Sequence, residues 1–221
     1  RSERRELSFE GRLQRFPLAT WVDPWIDVDL RGPVTGPVRL SGTLDRPEIA
    51  AELGVGPSGV VEITVDTLHV GPARGTLRPL RIETPFTARG LDFYGFTVDS
   101  GRAEALLADT IATRAVGHRD TTRMELEARV IPQDPGAAFL DRLRAIPGTG
   151  PPVELAEPAV LGFSAQRVWM DTVRVVSPAG EAGGSAWILP RPGAGFEPFA
   201  FALRGSALDL GAVASFFGLD P

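Results

Sequence analysis

The sequence predicts an all-β chain, and three observations carry that expectation. Apolar and polar residues alternate with a period of two in one run after another, the pattern of strands with one dry and one wet face. Glycine (25 residues) and proline (20 residues) punctuate the chain at short intervals, which suits many turns and few long helices. A hydrophobic content of 43% over 221 residues is enough for a folded chain and too high for disorder. The length admits one large β domain or two smaller ones, with on the order of a dozen strands at the usual spacing.

Taken in order, Pro17 to Asp23 reads as a short helical turn with proline at its start. Ile26, Val28 and Leu30 then share one face of a strand, with Asp27, Asp29 and Arg31 on the other. Val38, Leu40 and Leu44 alternate with Arg39, Ser41 and Thr43. Asp45-Arg46-Pro47 supplies turn chemistry, and Ile49, Ala51, Leu53 and Val55 line one face of the returning strand. Gly42 permits a bulge or the close approach of a neighbour. Val61, Ile63 and Val65 alternate with Glu62, Thr64 and Asp66. Leu91 to Phe96, which holds the sole tyrosine, reads as strand packing.

Farther on, Met124, Leu126, Ala128 and Val130 alternate with Glu125, Glu127 and Arg129. Asp134 to Ile146 breaks the pattern. Phe139, Leu140, Leu143 and Ile146 recur at helical spacing behind a plausible Asp134 N-cap and Pro135, so this stretch predicts a short helix. The run Pro147-Gly-Thr-Gly-Pro-Pro152 reads as a linker or long turn, which fits equally a subdivision of the chain near it and strand pairing across it. Phe199, Phe201 and Leu203 alternate with Ala200, Ala202 and Arg204, and Leu208 to Phe217 predicts a last short helix stopped by Gly218. Phe9-Glu-Gly11 through Asp23-Pro24 is echoed weakly by Leu203-Arg-Gly205 through Asp220-Pro221, as in one period of a longer array.

The composition excludes several kinds of chemistry. The net charge of −5 gives no electrostatic reason to bind nucleic acid. Without cysteine there is no disulfide framework or thiol chemistry, and without lysine there is no Walker loop, which leaves Gly54 to Gly59 as a turn. His69 and His118 stand alone, with no ligand-spaced partner, and no Gly-x-Ser-x-Gly elbow is present. Trp21, Trp25, Trp169 and Trp187 read as packing residues before they read as a carbohydrate or lipid interface. Neither an enzyme, a cofactor site nor a metal site is expected. No apolar run approaches the length of a bilayer span, and Arg1-Ser-Glu-Arg-Arg5 is no signal peptide. The chain is therefore expected to be a segment of a larger protein, with any membrane anchor outside it.

The most informative stretch is the hairpin sequence Gly36-Pro-Val-Arg-Leu-Ser-Gly-Thr-Leu44, followed after two residues by Pro47 and a second alternating strand. It resembles the repeated signature of the TamB/AsmA-like family: a glycine-rich lead, an alternating strand ending in Gly-Thr-Leu, two residues, then proline. Ala207 to Asp220 is similar to the short helical element that precedes this lead in the family, and Phe16 to Pro24 is a poorer match to it. The clear match spans about a quarter of the chain, and Gly75 to Val160 matches nothing in the pattern. The resemblance implies an elongated, curled antiparallel or mixed sheet forming an apolar groove, with two or three short helices. It implies a periplasmic setting, tethered to the inner membrane through a segment elsewhere, and an outer-membrane assembly partner. The implied role is phospholipid transport to the outer membrane or assistance to outer-membrane proteins.

The residues expected to line the groove and bind lipid are Ile26, Val28, Leu30, Val38, Leu40, Leu44, Ile49, Leu53, Val61, Ile63, Val65, Met124, Leu126, Val130, Phe199, Phe201 and Leu203. Alternation alone suits equally a closed structural or adhesive β-sandwich that binds protein partners.

Overall fold

In a computed structural model of the chain, the described residues are 6–17, 33–60, 63–93, 96–133, 135–164, 168–178, 180–191 and 195–206. They form β-strands and turns, with no helix among them. Two compact units divide the chain: Arg1–Asp109 with Gly117–Asp120, and Thr110–Val116 with Thr121–Pro221.

The first unit carries β1 (Phe9–Pro17), β2 (Pro33–Gly42), β3 (Pro47–Val55), β4 (Ser58–Val60), β5 (Ile63–Leu77), β6 (Leu80–Phe93) and β7 (Phe96–Leu107). Its sheet order is β1-β2-β3-β5-β6-β7, and β4 pairs with the start of β5. Every recorded pairing is antiparallel between strands that are near neighbours in sequence, because short turns return the chain on itself. The turn read at Asp45-Arg46-Pro47 joins β2 to β3, and Thr43 and Arg46 exchange backbone hydrogen bonds across it. Val61 lies outside the described residues.

The second unit takes residues 111–116 of β8 (Ile111–Arg119), then β9 (Thr122–Ile131), β10 (Gly136–Ile146), β11 (Val153–Leu155), β12 (Ala159–Phe163), β13 (Val168–Ser177), β14 (Gly180–Arg191) and β15 (Gly195–Ser206). Both short strands, β11 and β12, lie between β10 and β13. Pro147 to Pro152 joins β10 to β11, which pair across it through Arg144↔Glu154 and Ala145↔Val153. It is therefore a hairpin connection inside the second unit.

The expected helix over Asp134 to Ile146 is instead strand β10. Its helical spacing comes from a β-bulge. Leu140 opposes Ala128 and Arg142 opposes Glu127, which leaves Asp141 as one extra residue. Leu140 and Leu143 thus fall on one face although they are three apart, which imitates a helical i, i+3 pair. Of the other two expected helices, Pro17 closes β1, residues 18–23 lie outside the described residues, and so does Leu208 to Phe217.

Gaps and register shifts in the pairing line up across neighbouring strands. In the first unit, unpaired positions fall at Gln14-Arg15 in β1, Gly36-Pro37 in β2, Glu52 in β3, Gly71-Pro72 in β5 and Thr84-Pro85 on the β5 side of β6. In the second unit they fall at Asp141 in β10, between β11 and β12, and at Asp171-Thr172 in β13. Bulges bend and twist the strand that carries them, so an aligned row bends a sheet along one line.

Close backbone approach fixes one of these positions. Gly36 has φ +152°, and a Cβ there would collide with the Glu52 carbonyl oxygen of β3. Gly150, with φ +94°, has open space around it. Gly36→Ala is expected to lower unfolding free energy by about 2–4 kcal/mol, because backbone strain and a clash add. Gly150→Ala is expected to cost only about 1–2 kcal/mol. Urea unfolding of the two variants, followed by circular dichroism, checks the difference.

Candidate functional site

Register sorts each unit's side chains onto two faces. Across the first unit, Leu40↔Ile49↔Gly75↔Ile82↔Leu107 form one row and Leu53↔Val70↔Phe86↔Ala103 another, both on the same face. The rows between them bring in Val38, Ala51 and Ala73. The opposite face is charged. Arg39 Nη2 reaches Glu10 Oε2 at 2.9 Å, His69 Nε2 lies 3.5 Å from Glu52 Oε1, and Arg81 Nη2 lies 3.4 Å from Glu83 Oε1. All of these groups are well exposed, so their worth lies in keeping that face wet more than in stability.

In the second unit, Met124, Leu126, Ala128 and Val130 of β9 oppose Ala145, Leu143, Leu140 and Ala138 of β10. Leu161 and Met170 extend the Ala138 row through β12 and β13. On the other face, Arg142 Nη2 lies 3.3 Å from Glu125 Oε2, Arg123 Nη2 lies 2.9 Å from Glu125 Oε1 and Arg114 Nε lies 3.2 Å from Glu127 Oε1. Arg129 grips the bulge residue Asp141 with both arms, Nε to Oδ2 and Nη2 to Oδ1, each at 2.6 Å. Its guanidinium carbon also stands 5.1 Å from the centre of the Phe139 ring. Donation from Arg129 holds the Asp141 carboxyl below the ordinary carboxylate range.

The apolar faces are only half covered. Among the described residues, the buried hydrophobic side chains are Val34, Val55, Ala73, Ala145 and Ala159, three of them alanines. Val38, Leu40, Ile49, Leu53, Val70, Phe86, Leu126, Val130, Leu140 and Leu143 are all half-buried. A sandwich core would put residues of this kind near zero exposure. Within each unit every described strand is hydrogen-bonded into one sheet, with β4 and β12 beside its main path.

The sequence-predicted residues divide as follows. Val38, Leu40, Ile49 and Leu53 are brought together in the first unit, and Met124, Leu126 and Val130 in the second. Leu44 sits in the turn after β2 and is 50% exposed. Val65 is half-buried in β5 and pairs with half-buried Leu91, beyond the unpaired Asp66 and Gly90. Ile63 opens β5, paired with Phe93. Phe201 and Leu203 lie in β15 opposite Ala186 and Gly184, and Phe199 sits at the register shift of that pair. Ile26, Val28, Leu30 and Val61 lie outside the described residues.

Sequence reasoning missed Leu68, Val70, Ile82 and Phe86, although their alternation was there to read. It also missed Leu140 and Leu143, which the bulge disguised.

Among the described residues, no three His, Asp or Glu side chains converge on a metal-sized site, and no helix is long and apolar enough to cross a membrane. No family model, curated protein or solved structure matches the chain.

The Arg129–Asp141 pair carries a pH signature. Because the folded carboxyl titrates below its unfolded value of 3.8, its contribution is fully present above that value. It is lost as pH falls through the depressed folded value. Asp141→Asn is expected to lower the urea midpoint at neutral pH, with the gap from the parent chain closing as pH drops below about 4. The effect is small, since the pair is open to solvent screening. Urea titrations between about pH 2 and 7 measure it.

Proposed function

We propose that this chain is a segment of an envelope-biogenesis protein of the TamB/AsmA-like kind, which offers its apolar sheet face to lipid acyl chains or to an outer-membrane protein client. The single observation that carries the reading is a half-exposed apolar face backed by an ion-paired, wet one, with the described strands of each unit paired into one sheet. A contiguous exposed apolar surface is costly in water and marks a place where something binds.

The physical requirement for lipid is burial without hydrogen bonding. Two acyl chains hold about thirty methylenes, and at roughly 0.8 kcal/mol each their exposure costs on the order of 20–25 kcal/mol. A sheet face answers this because every strand adds its alternate residues to one surface. The aligned bulges support a trough, since they bend each unit's sheet along a line. A client strand of alternating polarity would use the same face, with additional pairing at a free edge. In this reading the protein works in the periplasm, held to the inner membrane by a segment outside this chain, with an outer-membrane assembly partner.

Mass spectrometry of organic extracts from the purified chain tests the proposal. Co-purifying phospholipid is expected from the parent protein. Leu40→Asp and Leu126→Asp are each expected to cut it several-fold while costing less than about 2 kcal/mol of stability, since both positions are half-buried. Unfolding of both variants, or no lipid in repeated preparations, overturns the lipid reading. Retention of an unfolded outer-membrane β segment in place of lipid selects the protein client.

A further inference from the structure

The first unit contains an interruption in strand pairing that runs from β1 to the β5 side of β6. Between β1 and β2 the register jumps from Leu13↔Gly36 to Phe16↔Val34. Between β2 and β3 no pair is formed from Thr35↔Gly54 to Val38↔Ala51. Between β3 and β5 the register shifts from Ala51↔Ala73 to Leu53↔Val70. Between β5 and β6 pairing stops at Val70↔Phe86 and resumes at Arg74↔Glu83. These four breaks meet end to end, because each begins where the previous one leaves the shared strand. The line closes at β7, where Ile82 to Arg89 pairs without interruption with Leu107 to Ser100.

The residues on this line explain why it persists. Pro37, Pro72 and Pro85 occupy it in β2, β5 and β6, and none has an N–H to donate to a ladder. No small adjustment can therefore restore those bonds. All three are exposed, while the buried positions along the line are small: Gly36, Gly71, Ala73 and Thr84. Thr84 is 4% exposed and turns its hydroxyl onto the Pro85 carbonyl at 3.2 Å, so no polar side-chain atom there is left to resist movement. Regular ladders stand on both sides, with Arg74 to Leu77 against Leu80 to Glu83 on one and Thr67 to Val70 against Phe86 to Arg89 on the other. Two stiff flanks thus meet at a seam with few cross-bonds and no bulk on its inner side.

We propose that this seam is a hinge across the first unit, about which its two flanks open and close. Its use, widening or narrowing the apolar face for guests of different girth, rests on the lipid-or-client reading above. The hinge itself does not, and it is measured with no guest present.

The chain has no cysteine, so paired spin labels can be placed at will. Thr67→Cys with Arg74→Cys puts labels on exposed positions of β5 on either side of the seam. Arg39→Cys with Arg81→Cys puts both on one flank. Electron–electron distance measurements are expected to give a broad or two-peaked distribution for the first pair and a narrow one for the second. In hydrogen exchange of the parent chain, Leu53, Arg74 and Phe86 are expected to exchange about tenfold or more faster than Ile49, Ile82 and Leu68, as local opening requires. A first-pair distribution as narrow as the second, with even protection along β3, β5 and β6, overturns the hinge. Loss of lipid binding with the broad distribution retained would instead strike only the functional reading.

Discussion

The structure depends on one constraint, that a strand with a bulge keeps its main apolar row on one face of its sheet even where the register shifts. A slip of a single residue would turn a whole strand inside out. The bulges meet this constraint in the same way in three places. Val70 and Ala73 in β5, Leu140 and Leu143 in β10, and Met170 and Val173 in β13 are each three residues apart. In each case one extra residue on the bulged strand restores the phase, so both members of the pair share a face. Bending the sheet and keeping its faces distinct are accomplished by the same inserted residues.

Charge completes the separation of faces. The wet side of the second unit carries interlocked arginines and carboxylates, with Glu125 shared between Arg123 and Arg142 and Glu127 between Arg114 and Arg142. Exposed pairs of this sort add little to stability. Their effect is on choice of face: a strand that turned over would bury these groups and expose leucines, which costs far more than the pairs contribute. Arg144 is drawn partly into the structure, with its Nε 3.6 Å from Glu154 Oε2, beyond hydrogen-bond reach.

Much of the candidate face was legible in the alternation. Val38, Leu40, Ile49 and Leu53 were assigned to one face from spacing alone, and the register agrees. So were Met124, Leu126 and Val130. The alternation failed where a bulge intervened, because periodicity assumes that each step along the chain changes face. Leu140 and Leu143 looked helical for that reason.

Local chemistry in the sequence therefore determined the all-β class, the hairpin at Asp45-Arg46-Pro47 and the polarity of most strand faces, because these follow from nearest neighbours along the chain. Tertiary structure alone decided which strands pair, where the extra residues sit and that the bulges line up across each unit. Those are properties of residues distant in sequence, such as Gly36 against Glu52 or Ala73 against Thr84. It also decided that so few apolar side chains are buried among the described residues, since the exposure of a face is set by what packs on it and not by the strand that carries it.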